Sequence, residues 1–106
     1  MPVQGMLRSA AISVPRTITS AAGVLGQLES GDTELAVEAL KQLDKVVDTF
    51  WAEVADSLTV IEALYEDASF PGKDMAALVI SKVYYHLEEY DDAMNYALGA
   101  GNGLSE

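Results

Sequence analysis

The residues best suited to chemistry in this chain are carboxylates, and they gather in two clusters. The first contains Glu66, Asp67 and Asp74, and the second lies within residues 88–92. General acid–base catalysis needs two carboxylates that converge on one cleft with separated pKa values, whereas neighbouring residues on a helix point about 100° apart. A calcium loop needs alternating oxygen ligands around a glycine turn, and neither cluster has that spacing. Both clusters are therefore predicted to be solvated loops or partner contacts.

Other common site chemistries lack the residue types that they need. The chain contains no cysteine, which excludes disulfides, thiolate ligands and cysteine nucleophiles. Its one histidine, His86, cannot form a multi-histidine metal site, and no residue is marked as a nucleophile beside it. We expect His86 to pack, or to hydrogen-bond a carbonyl of the last helical turn. The sequence therefore predicts no enzyme, no metal and no cofactor.

The charge of the chain is large, negative and unevenly distributed. The 106 residues carry a net charge of −11, yet residues 1–27 contain two arginines and no acid, so all 17 acids fall in residues 28–106. Nucleic-acid phosphates need lysine or arginine to neutralise them, so this acidity argues against nucleic acid as a partner. No apolar run approaches the roughly 20 residues that span a bilayer, which argues against a membrane. Proteins are the expected partners.

The pattern of the chain divides it into three parts. Residues 1–17 contain two prolines and no periodicity, which predicts a disordered or extended N-terminal extension. Residues 18–101 read as a helical domain, and residues 102–106 as a tail. The first predicted helix runs to about Leu28 and is capped by Thr17, Thr19 or Ser20. Asp32 is the predicted N-cap of the next helix.

A single apolar stripe dominates the middle of the chain. Its members recur at spacings of three and four, as on one face of a helix: Ala36, Leu40, Leu43, Val47, Phe50 and Val54. A break is predicted near residues 56–58, because the periodic run is longer than an uncapped helix usually extends. Thr59 and Glu62 fit a capping box for a short helix over residues 59–67, and residues 66–72 then predict a loop.

The C-terminal part predicts a helical hairpin. Residues 73–87 are apolar on most sides, and a last helix is expected from Tyr90 to about Leu98, ended by Gly99 and the glycines that follow. Small residues stand where two helices could approach closely, namely Ala76, Ala77, Ala93 and Ala97. The fold class is therefore all-α, a short α-solenoid of helical hairpins that is tetratricopeptide-like at its C-terminal end.

Aromatic side chains are the candidate packing or interface residues, namely Trp51, Tyr65, Tyr84, Tyr90 and Tyr96. Tryptophan in a small helical protein is usually in the core, but tryptophan and tyrosine also dominate binding hot spots. The set Tyr84, Tyr90 and Tyr96 is expected to wedge between the two helices of the hairpin, or else to line a peptide groove. An unburied apolar face is expected near the C-terminus, at Tyr96, Leu98 and Leu104.

Several blocks of the sequence resemble one known family. The blocks are ITSAAG (18–23), FWAEV (50–54), IEALYED (61–67), MAALVISKVYYHL (75–87) and YDDAMNYALGAG (90–101). Through them the chain resembles, over about residues 18–101, the N-terminal end of the largest non-ATPase subunit of the 26S proteasome regulatory particle. The resemblance implies a non-catalytic scaffold segment that acts in ubiquitin-dependent degradation through protein–protein contacts. It also implies a place in the cytoplasm and nucleus. The implied partners are other regulatory-particle subunits and the downstream part of the family protein itself.

The alternative is a free-standing tetratricopeptide-like adaptor that binds a peptide or a helix. An adaptor that reads carboxylate-ended peptides needs converging basic residues, whereas residues 74–106 offer Lys82 alone. This shortage of cations favours the scaffold.

Overall fold

Five helices account for most of the described chain. The computed structural model describes residues 20–104, with side chains over residues 20–100. The helices are α1 (Ala22–Leu28), α2 (Thr33–Asp56), α3 (Leu58–Glu66), α4 (Lys73–His86) and α5 (Tyr90–Leu104). No strand occurs in this range, so the predicted all-α class is confirmed. The predicted extension 1–17 lies outside the described residues. None of the described helices is both long and apolar enough to cross a membrane.

Polar side chains start the first two helices. The hydroxyl of Ser20 accepts a hydrogen bond from the Ala22 amide at 3.0 Å, and the Glu53 carboxylate accepts one from the Ala21 amide at 2.6 Å. Glu53 therefore ties the start of α1 to α2. Asp32 accepts hydrogen bonds from the amides of Glu34 and Leu35, at 2.9 and 3.2 Å, which confirms it as the N-cap of α2.

The apolar stripe of α2 is the centre of the core. Five of its six predicted members are buried, and Phe50 is half-buried against them. At Phe50 the backbone leaves helical geometry, with φ −111° and ψ 27°, so α2 is kinked there. The predicted break follows at Ser57 and is confirmed. Helix α4 packs on α2 and α3 together, as a solenoid requires.

Two local predictions are wrong. Helix α3 begins at Leu58 and has no side-chain cap, so Thr59 and Glu62 do not form a capping box. Glu62 instead accepts hydrogen bonds from tyrosines of α4 and α5. Glycines do not end α5 near Leu98, because the helix continues to Leu104. A helical glycine costs only about 1 kcal/mol relative to alanine. At Gly99 a Cβ atom would stand 2.6 Å from the Tyr65 hydroxyl, so this glycine serves close packing.

Candidate interaction site on the terminal hairpin

The two helices of the terminal hairpin approach closely because small residues lie between them. Helices α4 and α5 make the most extensive helix–helix contact of the described residues. Ala76 and Ala77 are fully buried and Ala93 is 7% exposed. The Ser81 hydroxyl donates a hydrogen bond to the Ala93 carbonyl at 2.7 Å, which fixes the register of α5 on α4. The turn between them passes through Glu88 in the left-handed region, at φ 65°.

On the side of the hairpin that faces α3, half-buried tyrosines gather around one carboxylate, next to a second pocket of about 340 Å³ that Tyr65 and Tyr96 help to line. The hydroxyls of Tyr84 and Tyr96 both donate to Oε2 of Glu62, at 2.8 and 3.2 Å. Their rings stack with centroids 5.7 Å apart, and the Tyr65 ring meets Tyr96 edge-on at 5.3 Å. One carboxylate of α3 therefore holds both α4 and α5. We call Glu62, Tyr65, Tyr84 and Tyr96 the tyrosine cluster.

The electrostatics of this cluster keep its tyrosines protonated. The hydrogen bond to Glu62, with burial and the charge of that carboxylate, raises the pKa of Tyr84 to about 12. Burial and the Glu62 charge raise the pKa of Tyr96 to about 12. A tyrosine with so high a pKa is a hydrogen-bond donor at neutral pH, not a base. The arrangement therefore joins three helices through protonated tyrosine hydroxyls.

A lysine closes the end of α3 beside this cluster. Lys73 donates a hydrogen bond from Nζ to the backbone carbonyl of Tyr65, in the last turn of α3. The same Nζ lies 4.9 Å from the centre of the Tyr65 ring. A cation at a helix C-terminus satisfies an otherwise free carbonyl and favours the helix dipole. Lys73 therefore connects the start of α4 to the end of α3.

A second polar contact joins α4 to α2. The ring of His86 stacks on Trp51, with centroids 5.5 Å apart and planes 4° from parallel, and its Nε2 lies 3.0 Å from the Asp48 carboxylate. Of the two alternatives expected for His86, packing is confirmed by the stacking on Trp51, and its hydrogen-bond partner is the facing carboxylate of α2 and not a last-turn carbonyl. One helical turn earlier, Lys82 pairs with Asp44 at 2.7 Å. Trp51 is half-buried beneath the histidine.

The other side of the hairpin is open. A groove of about 360 Å³ runs between α4 and α5, with one wall reaching α2. Tyr85 is 61% exposed, Tyr90 55%, Met94 59% and Leu98 59%. The groove is lined by Asp48, Ser81, Lys82, Tyr85, Tyr90, Ala93, Met94 and Ala97.

The two alternatives for the tyrosines are realised at different residues. Tyr90 does not wedge between the helices; it is exposed, its ring lies 5.5 Å from that of Tyr85, and it lines the groove. Tyr96, expected on an unburied face, is half-buried in the tyrosine cluster. The exposed apolar row consists of Tyr90, Met94 and Leu98. Their spacing of four residues is the sequence pattern from which this row could have been predicted. The Leu104 side chain lies outside the described side chains.

The acidic clusters lie at the surface. Over residues 88–92 every side chain is exposed, and so are those of Glu66 and Asp67. Two hydrogen bonds from Ser69 hold the pKa of Asp67 below its ordinary value, and the bond from the Ser69 hydroxyl contributes more than the bond from its amide. This is the geometry of a turn cap. Within the described residues no three metal-ligating side chains come together.

Comparison with known families identifies the chain. Residues 19–105 match the model of the family described as 26S proteasome subunit RPN2, N-terminal domain. The chain belongs to this family. The resemblance read from the sequence blocks is therefore confirmed, and the match includes all five helices.

Named relatives agree with this assignment. The chain is 50% identical over 86 residues to the 26S proteasome non-ATPase regulatory subunit 1 of Drosophila melanogaster, in an alignment that covers 81% of the chain and 8% of the relative. It is 49% identical to the 26S proteasome regulatory subunit rpn2 of Schizosaccharomyces pombe, over 79% of the chain and 9% of the relative. The Saccharomyces cerevisiae subunit RPN2 is 44% identical over the same shares. The chain therefore spans less than a tenth of the length of these relatives.

Proposed function

We propose that this chain is a non-catalytic scaffold segment of the proteasome regulatory particle. In this role it acts in ubiquitin-dependent protein degradation through protein–protein contacts alone. Its partners are other regulatory-particle subunits and the downstream part of its own family protein, and its place is the cytoplasm and nucleus. Membership of the RPN2 N-terminal family, over residues 19–105, is the observation that carries the proposal.

The architecture supports a scaffold role. A scaffold must hold its contact surfaces in a fixed relation, and here specific side chains connect several pairs of packed helices. Glu53 connects α2 to the start of α1, Glu62 connects α3 to α4 and α5, and Asp44 connects α2 to α4. These contacts are polar and lie at the edges of an apolar core, so they favour one packing geometry over its alternatives.

The electrostatics point in the same direction. The tyrosine hydroxyls remain protonated donors and the lysines Lys73 and Lys82 already have partners within the fold. The surface of the hairpin therefore consists of a groove, exposed apolar side chains and negative charges. These are the properties with which a protein contacts other proteins.

A chimera tests the proposal. Residues 19–105 replace the matching segment of the Saccharomyces cerevisiae relative, in cells depleted of the native subunit, and regulatory-particle assembly is followed on native gels. We expect the chimera to enter the assembled particle. The matched control carries Ile61→Asp, which buries a charge in the fully buried position of α3, and it should fail to assemble.

The decisive outcome is the fate of a folded chimera. If the chimera is expressed at the level of the native subunit and remains outside the particle, the scaffold proposal is wrong for this chain. Equal assembly of the Ile61→Asp chimera would show that the folded segment is not needed, and would also overturn the proposal.

A further inference from the structure

The open groove of the terminal hairpin has the form of a helix-binding site. Six large hydrophobic side chains are exposed within residues 20–100; three of them, Tyr85, Tyr90 and Met94, line this groove, and Leu98 lies one helical turn beyond Met94 on α5. Monomeric proteins scatter such residues singly, whereas a contiguous set marks an interaction surface. The row from Tyr90 to Leu98 covers nine residues, or about 12 Å of helix axis, and so matches about two turns of a docked helix.

The groove is also lined by side chains of different sizes. The lining combines the small Ala93, which is only 7% exposed, and Ala97 with the large and exposed Tyr85 and Met94. Small residues let another backbone approach, and flexible methionine adapts to an apolar side chain. Apolar residues spaced three and four apart on a partner helix would enter such a groove as anchors.

The charge around the groove is negative. Asp48 lines the groove and remains 75% exposed although it contacts Nε2 of His86. Asp91 follows Tyr90 in the first turn of α5, and Glu88 and Glu89 are exposed in the adjoining turn. The one cation of the lining, Lys82, is paired with Asp44 at 2.7 Å. Residues 28–106 as a whole carry 17 acids against four lysines. A partner with basic flanks would therefore be attracted and oriented here.

We propose that this groove binds an amphipathic helix of another polypeptide, with an apolar stripe flanked by lysine or arginine. The apolar stripe covers Tyr85, Tyr90 and Met94, and the basic flanks meet Asp48 and Asp91. A second copy of this chain is the wrong occupant, because each copy carries a net charge of −11 and like charges oppose association. The inference goes beyond the proposed scaffold role and does not depend on it.

Two synthetic peptides test the inference on the full chain. The first is an amphipathic helix of about four turns, with leucines at spacings of three and four and lysines on both flanks. The second is its acidic twin, in which glutamate replaces every lysine. Fluorescence anisotropy measures both affinities. We expect the basic peptide to bind at least about tenfold more tightly than the acidic twin, and to weaken as salt rises.

Variants locate the binding. Tyr85→Ser and Met94→Ser alter exposed side chains, so the fold should survive, and each should weaken the basic peptide about tenfold. Leu35→Ser is the matched control, because Leu35 is an exposed apolar residue of α2 that does not line the groove. The double variant Asp48→Asn with Asp91→Asn should weaken binding about fivefold. Glu29→Gln with Glu38→Gln makes the same change of charge elsewhere and should have little effect. Circular dichroism confirms that each variant is folded.

Several outcomes overturn the proposal. They are equal binding of the two peptides, no binding of the basic peptide, and binding that Tyr85→Ser and Leu35→Ser weaken equally. Concentration-dependent dimerisation that Met94→Ser abolishes would identify a second copy as the occupant instead. None of these results bears on assembly of the chimera, so this proposal and the scaffold proposal fail separately.

Discussion

Tyrosine has opposite roles on the two sides of the terminal hairpin, since it stabilises the fold on one side and is exposed to solvent on the other. Tyr84 and Tyr85 are neighbours in sequence, yet Tyr84 is half-buried and hydrogen-bonded to Glu62, whereas Tyr85 lies largely in solvent. On α5, Tyr96 joins the half-buried tyrosine cluster and Tyr90 lies on the open side. Successive residues of a helix differ in direction by about 100°, so adjacent tyrosines reach different neighbours.

What separates the two sides is the presence of a facing helix with an acceptor. Helix α3 places Glu62 within reach of two hydroxyls, so the tyrosines of that side satisfy their polar ends as they become buried. No described helix faces Tyr85, Tyr90 and Met94 in this way. A closed aromatic side stabilises the fold, while an open one leaves apolar area for a partner.

The largest expected effect lies at the hairpin contact itself. Ala93→Leu should destabilise the protein by about 1–3 kcal/mol, because a buried position between two close helices has no room for three more carbons. Thermal or urea unfolding measures the change. Met94→Ala, one residue along and on the open side, is the control and should change stability by less than about 0.5 kcal/mol. Equal melting of Ala93→Leu and the parent would place Ala93 in solvent.

Removing the shared acceptor should have the next largest effect. Glu62→Ala leaves two half-buried hydroxyls without their carboxylate and should cost about 1–2 kcal/mol. Urea unfolding of Glu62→Ala is compared with that of Glu66→Ala, which removes an exposed carboxylate from the same helix. We expect the Glu66 variant to stay within about 0.5 kcal/mol of the parent. Similar losses in both variants would contradict a special role for the closed side.

Glycine replacements sharpen the comparison at smaller scale. Gly26→Ala in α1 meets nothing within 4 Å and should stabilise the protein by about 0.5–1 kcal/mol. Gly99→Ala should stabilise the protein much less than Gly26→Ala does. Its Cβ would lie 2.6 Å from the Tyr65 hydroxyl, so the tyrosine cluster would have to shift. Paired thermal melts measure the difference. An equal gain at both positions would show that the tyrosine cluster is loosely packed.

Ionisation of the two tyrosine hydroxyls should weaken the fold in alkali, because the stability that they contribute is fully present below pH 10. The pKa values of Tyr84 and Tyr96 are about 12 in the folded protein and 10 ordinarily. Between these values the unfolded chain has lost protons that the folded chain keeps, so stability should fall as pH rises from 10 to 12. The double variant Tyr84→Phe with Tyr96→Phe should show a shallower fall in urea unfolding across that range. Parallel curves for variant and parent would contradict the raised pKa values.

Much of the fold was predictable because its signals are local. The stripe from Ala36 to Val54 needs only the helical period, and the Asp32 cap needs only the next three residues. The extent of α5 was not predictable in this way, because the reason for Gly99 is a tyrosine 34 residues earlier in the chain. The capping box at Thr59 failed because α3 already begins at Leu58, and Glu62 bonds donors on α4 and α5 instead.

The sequence by itself determined the helical class, the acidic charge and the family, since composition, period and matching blocks do not depend on packing. Only the tertiary structure decided which tyrosines close the fold and which stay open. Glu62 bonds residues 22 and 34 positions away, and His86 bonds Asp48 across 38. Such pairs depend on how helices are packed against one another. The sequence gives the type of each side chain, but the angle and register at which α3, α4 and α5 pack determine which partner it contacts.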